Sequence, residues 1–265
     1  MVLRALLVLA LAGFQTASCS GQENAHKLKL VWAEEFDSSG LPDPAIWNYE
    51  VGLIRNQEAQ YYTEGRLENA RVEGGCLVIE ARKEDFAGAK YTSASVNTLG
   101  KREFYRGRIE VRAKIPTGVG SWPAIWMMRT DIARVGWPAC GEIDIMENVG
   151  YEPDTIYATA HTPGSVKRHG LVTNGGHIDI SGPFADFHVY TVEWREDRLE
   201  FYLDGREYFT YAKDSRYPDY WRFDKPFYLL LNLAIGGNWG GTHGIDDTIF
   251  PLKYYIDYVR YYQWE

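Results

Sequence analysis

The sequence has little cysteine, no excess of basic charge and no long apolar run, and each shortage removes a class of protein. Three of its 265 residues are cysteines, Cys19, Cys76 and Cys140. Their spacing matches no zinc site, and a chain of this length can bury a full core without disulfide or metal staples. Lys and Arg number 28 against 36 Asp and Glu, a formal net charge of -8, so the basic stripes of a nucleic-acid binder are missing. No stretch reaches the ~20 apolar residues of a membrane-spanning helix. Repeats and low-complexity tracts are absent, as are a GxSxG elbow, an HExxH helix and a Walker-type loop. The 45% hydrophobic content argues against disorder.

The first residues read as an export signal. Arg4 supplies a positive charge, Ala5 to Phe14 is apolar apart from Gly13, and the small residues Ala17, Ser18 and Ser20 follow. Thr16-Ala17-Ser18-Cys19 also resembles a bacterial lipoprotein box, with Thr16 where Leu is usual. The reading is therefore a signal peptide over 1–19, or a lipoprotein signal ending before Cys19, and an exported protein, secreted or lipid-anchored to the cell envelope through Cys19. Cys76 and Cys140 are expected as buried free thiols, although an oxidising compartment would allow them to pair.

Aromatic residues are abundant, with 9 Trp, 19 Tyr and 11 Phe, 15% of the chain. They suit strands, and they equally suit a surface on which sugar rings stack. From Lys27 onward the texture is uniform, one domain over 27–265. Arg108 to Ile115 alternates polar and apolar residues as a half-buried strand does. Leu77–Arg82, His188–Trp194, Tyr228–Ile235 and Tyr254–Trp264 read as strands as well. Leu199–Leu203 and Arg206–Tyr211 flank Asp204-Gly205 as a tight hairpin. No helical period lasts twelve residues. Many short strands between Gly-rich and Pro-rich turns predict a sandwich or barrel; a β-propeller lacks the repeat it needs.

The chemistry concentrates in Glu142-Ile143-Asp144-Ile145-Met146-Glu147. On a strand Glu142 and Asp144 share one face. Glu147, at an odd offset, points the other way unless a β-bulge near Met146 adds one residue. With the bulge, three acids share a face and each raises the cost of ionising the others. A structural strand gains nothing from that. A retaining glycosidase uses two carboxyl groups ~5–5.5 Å apart, one as nucleophile and one as acid/base. An exposed acidic strand face remains the bland alternative; a calcium loop spaces its ligands differently.

The chain resembles glycoside hydrolase family 16, in particular the bacterial laminarinase-like endo-β-1,3-glucanases. The segment from Glu142 to Glu147 matches that group's E-x-D-x-x-E signature. The bulged form is shared with agarases and carrageenases, while enzymes on β-1,3-1,4-glucan and xyloglucan typically have E-x-D-x-E. The resemblance extends over Val31–Asp37, Asn56–Thr63, Gly107–Arg112, Ser121–Met127, Val135–Gly141, Ala158–His161, Phe187–Tyr190, Asn232–Trp239 and Ile256–Arg260.

The resemblance implies an all-β jelly-roll sandwich of two antiparallel sheets with an open concave cleft. It implies a retaining endo-hydrolase of β-1,3-glucosidic bonds in laminarin-type glucans, with Glu142 as nucleophile, Asp144 as its supporting acid and Glu147 as acid/base. Asn56, Trp122, Trp126, His161 and Trp239 become substrate-binding candidates, although Trp122, Trp126 and His161 also suit a core. The family often binds a structural calcium, here implied at Glu35, the Gly75 carbonyl and Asp257; Glu35 and Asp257 equally suit edge-strand charges. No cofactor is expected for catalysis. The partner expected is a β-glucan, with no nucleic acid and no protein partner, and a monomer is the default. Two departures touch the cleft wall: Leu99 stands before Gly100-Lys101 where many members have a basic residue, and Ser95 stands where many have Arg. The alternatives are a galactan hydrolase on agarose or carrageenan, and a non-catalytic β-glucan-binding protein.

Overall fold

The computed structural model describes residues 27–164, 174–180 and 186–265; the expected signal peptide and Cys19 lie outside them. Strands dominate. In chain order they are β1 (Leu28–Glu34), β2 (Asn48–Tyr49), β3 (Gln60–Tyr62), β4 (Ala70–Glu73), β5 (Cys76–Phe86), β6 (Ala89–Ser93), β7 (Ser95–Asn97), β8 (Gly107–Lys114) and β9 (Ser121–Arg129). After a one-turn helix, α1 (Ile132–Val135), come β10 (Glu142–Glu147), β11 (Thr155–His161), β12 (Gly175–Asp179), β13 (His188–Trp194), β14 (Arg198–Leu203), β15 (Arg206–Ala212), β16 (Phe227–Ile235) and β17 (Leu252–Trp264).

They form two sheets, as the sandwich reading requires. One runs β15-β14-β13-β8-β17-β5-β6-β3, with β1 added beside β17 and β4 beside β5; the other runs β12-β11-β10-β9-β16-β7-β2. All strand pairs are antiparallel except β3 with β6. The polar–apolar alternation of β8 puts Ile109, Val111 and Ala113 inside and leaves the Arg and Glu residues between them half-exposed. The β14–β15 hairpin turns at Asp204 (φ 50°) and Gly205 (φ 79°), the two left-handed residues of a type I′ turn.

Between the sheets lies the main core, with Trp47, Leu77, Ile109, Ile143, Phe201, Phe227 and Ile256 among its members. A second, smaller cluster of Ala124, Trp126, Met128, Cys140, Tyr228 and Leu230 sits on the other face of the seven-stranded sheet. β16 is therefore buried along all nine residues, which explains its continuous apolar run in place of an alternation. Cys76 and Cys140 are both free thiols; Cys140 is buried as expected, whereas Cys76, at the start of β5, is only half-buried. Among the described residues no helix is long and apolar enough to cross a membrane.

Candidate active site

The bulge falls where the odd offset of Glu147 requires it. Against β9, Asp144 faces Trp126 while Met146 already faces Ile125 and Glu147 faces Ala124. Against β11, Asp144 faces Thr159 and Glu147 faces Tyr157, so three steps on one strand match two on the other. Ile143, Ile145 and Met146 all enter the core between the sheets. Two consecutive residues facing inward are the signature of the extra residue, and they return Glu147 to the face of Glu142 and Asp144.

Glu142 and Glu147 are half-buried at the two ends of the strand, with Asp144 deeper between them. Asp144 is 3% exposed. Burial is the main force raising all three carboxyl groups, and it takes Glu142 to about 8. The mutual charge of Asp144 raises Glu142 and Glu147 further, while His161 pulls both down. Glu142 and Asp144 also interact through a hydrogen bond, which raises Glu142 and lowers Asp144. His161, opposite Glu142 in the β10–β11 register, places Nε2 3.0 Å from Asp144 Oδ2 and 3.7 Å from Glu142 Oε1. The shorter contact has ion-pair distance but not hydrogen-bond alignment, and Asp144 Oδ2 has no other partner. On the far side of the bulge, Trp122 Nε1 donates to Glu147 Oε1 across 3.0 Å. Donor atoms of Glu142, Asp144 and His161 all lie within 4.8 Å of one another. A divalent cation held there would occupy the same oxygens that acid/base chemistry needs.

Around the acids the wall is aromatic. Trp122 meets Trp239 edge-on at 5.6 Å, and Trp239 meets Tyr157 edge-on at 5.1 Å. Asn56 lies beside them, because its carbonyl accepts from the Asn238 backbone N–H and its loop packs against Gly237 and Trp122. A Cβ at Gly237, whose φ is 78°, would stand 3.0 Å from that carbonyl, so glycine is what lets the two loops close. Trp126 is on the same face but is not open: it is 8% exposed, its Nε1 donates to Asn232 Oδ1, and the Arg55 guanidinium lies 4.9 Å above its ring. The structure thus gathers Glu142, Asp144, Glu147, Asn56, Trp122, His161 and Trp239, and puts Trp126 under a cover.

A family model described as glycosyl hydrolases family 16 matches residues 57–260. The chain belongs to glycosyl hydrolases family 16. Within family 16 it is 45% identical to the beta-glucanase of Rhodothermus marinus over 98% of this chain and 94% of that protein. The X-ray structure of the laminarinase from Rhodothermus marinus superposes with a TM-score of 0.84, covering 90% of this chain and 98% of that one. SCLam, described as a non-specific endo-beta-1,3(4)-glucanase, is 45% identical with a TM-score of 0.82, over 90% of this chain and 92% of that one. Glucan endo-1,3-beta-glucosidase A1 of Niallia circulans is 35% identical over 89% of this chain, which spans only 38% of that longer protein.

The calcium donors that family 16 suggests do not fit a cation as they stand. The register does bring them to one end of the ten-stranded sheet: Ile256 pairs with Leu77, and Glu34 with Val259. But Glu35 gives both oxygens to Arg260, at 2.7 and 3.0 Å, and Asp257 accepts from Arg112 at 2.6 Å. A cation at the Gly75 carbonyl would face two guanidinium groups that already neutralise its carboxylates.

Three cleft residues carry no assignment from sequence reasoning. Trp137, 52% exposed, acts on Glu142 to lower its carboxyl and stands 6.0 Å from the His161 ring. It sits in the segment leading to the catalytic strand, and that position is the signal. Asn232 links Trp126 to the hydroxyl of Tyr62. Arg55 directly precedes Asn56 and gives no sign in sequence that it reaches Trp126.

Proposed function

We propose that the protein is a retaining endo-glycoside hydrolase that cleaves β-1,3-glucosidic bonds in laminarin-type glucans. The observation that carries this reading is the bulged strand β10, which presents Glu142, Asp144 and Glu147 on one face beside an aromatic wall. Glu142 attacks the anomeric carbon as Glu147 passes its proton to the leaving glycosidic oxygen, giving a covalent glycosyl-enzyme. The Glu147 carboxylate then takes a proton from water, which attacks the same carbon and releases Glu142, so configuration is retained.

Burial suits these roles. Glu147 must hold its proton until the bond breaks, and desolvation raises its carboxyl group. Glu142 must be ionised when it attacks, and Trp137 and His161 both pull its carboxyl down. The hydrogen bond between Glu142 and Asp144 favours the resting proton on Glu142, and that proton passes to Asp144 as the sugar binds, leaving the negative charge on the attacking oxygen. Trp122 holds Glu147 in place, and together with Trp239 it offers apolar rings to sugar C–H faces. The names of the relatives, beta-glucanase and laminarinase, support β-1,3-glucan as the polymer. Export by an N-terminal signal, ending before Cys19 where that cysteine carries lipid, and action as a monomer complete the reading.

The test is a product profile on laminarin, with mixed-linkage glucan and agarose beside it, and anomeric NMR of the first products. A ladder of β-1,3-oligosaccharides released as the β-anomer is expected. Cleavage of agarose but not laminarin would keep the chemistry and overturn the substrate. Binding without cleavage of any polymer would reduce the protein to a glucan-recognition module.

A further inference from the structure

Arg55 reaches the cleft from an unusual backbone. The two residues after it, Asn56 and Gln57, both have φ of 55°, a left-handed pair that non-glycine residues rarely adopt. The conformation is pinned by the Asn56 carbonyl accepting from Asn238 N–H at 2.8 Å and by the bridge between Glu58 and Gly236. It turns the Arg55 side chain back over Trp126, where the guanidinium carbon stands 4.9 Å from the ring centroid. Glu50 grips that guanidinium in an ion pair, and the other Glu50 oxygen accepts the Ser95 hydroxyl at 2.6 Å.

Two features make this more than a surface ion pair. Arg55 Nη1 is buried and has no hydrogen-bond partner; an unsatisfied buried donor is unfavourable and needs an acceptor. The loop that carries Arg55 also lines a depression of about 280 Å³ over residues 53–58, rimmed by the exposed apolar side chains Leu53 and Ile54. An acceptor delivered there, together with an apolar face, is what a glucosyl unit offers.

We propose that Arg55 is a specificity-determining residue of the cleft: it closes the face of Trp126 to ring stacking and gives a glucan hydroxyl the Nη1 hydrogen bond instead. This rests on the glucanase reading and deepens it. It also gives Ser95 a role. A guanidinium at position 95, which borders Asn232 in the β7–β16 register, and one at position 55 would compete for Glu50, so this chain has room for only one.

The experiment compares Arg55→Gly, Arg55→Met and the swap Arg55→Gly/Ser95→Arg on laminarihexaose. The two single variants are expected to raise KM about 5- to 10-fold, the loss of one hydrogen bond, with kcat nearly unchanged and shifted product lengths. The swap is expected to recover most of the KM. Unchanged KM and products in both single variants would overturn the proposal, as would parallel falls in kcat and Tm without a KM effect, which mark a purely structural ion pair. Should Arg55→Gly fail to fold, Arg55→Met keeps the apolar stem on Trp126 and still removes the donor. Laminarihexaose binding is also measured by calorimetry in a Glu142→Gln background. Failure of the parent enzyme to cleave laminarin removes the substrate assignment, whereas equal affinity with and without Arg55 removes Arg55.

Discussion

The indole N–H of Trp122 points at Oε1 of Glu147 from 3.0 Å, across the bulge that separates Glu147 from the other two acids. This bond favours the ionised carboxylate and so opposes the upward push of burial. Trp122→Phe keeps most of the ring and removes the donor. The Glu147 carboxyl then rises further, and the alkaline limb of the kcat/KM profile moves to higher pH. Activity at the optimum falls about tenfold, in line with a hydrogen bond to a charged group. A pH–rate profile of the variant checks both parts; an unmoved limb would detach Trp122 from Glu147.

Glu142 is raised in the folded protein from its ordinary 4.5 to about 8, first by burial and then by Asp144. The folded state therefore holds a proton that the unfolded chain has released. Its contribution to stability is full below about pH 4.5 and is lost as pH rises toward 8. Glu142→Gln, which cannot ionise, is expected to melt a few °C above the parent at pH 8 and to lose that advantage near pH 4. Its hydrolytic activity drops by about four orders of magnitude or more, the scale of a lost nucleophile. Calorimetric Tm values across this range decide it.

Met146 is fully buried between the sheets at the bulge. Met146→Ala leaves a cavity there, and a loss of about 2–4 kcal/mol is expected in urea unfolding. The activity that remains should fall as well, because Glu147 is the next residue. A variant with full stability and full activity would mean that the bulge needs no side chain to fill it.

The ion pairs Glu35–Arg260 and Asp257–Arg112 occupy the carboxylates that a calcium ion would need. EDTA is accordingly expected to leave Tm unchanged. A rise of several °C on adding millimolar calcium would show that both arginines yield to the cation.

Much of this molecule is legible in its sequence, for identifiable reasons. The strand of Arg108 to Ile115 follows from period-two burial, and the Asp204-Gly205 turn from two residues that tolerate positive φ. The bulge follows from an arithmetic mismatch between Glu142 and Glu147. All three are local. What escapes the sequence is long-range and concerns extended polar side chains. Arg55 covers Trp126, 71 positions away, only because the left-handed pair at 56–57 aims it there. Glu35 meets Arg260 only because β1 lies beside β17. The parallel pairing of β3 with β6 likewise depends on a path through the sheet that no local pattern encodes.

The extra residue in β10 also acts as a proofreading device. If this strand slipped by one position against β9 or β11, Glu147 would enter an apolar interior while aliphatic side chains turned to water. A chain that pairs this strand wrongly is therefore also a chain that cannot settle. Correct registration and catalytic competence depend on the same inserted residue.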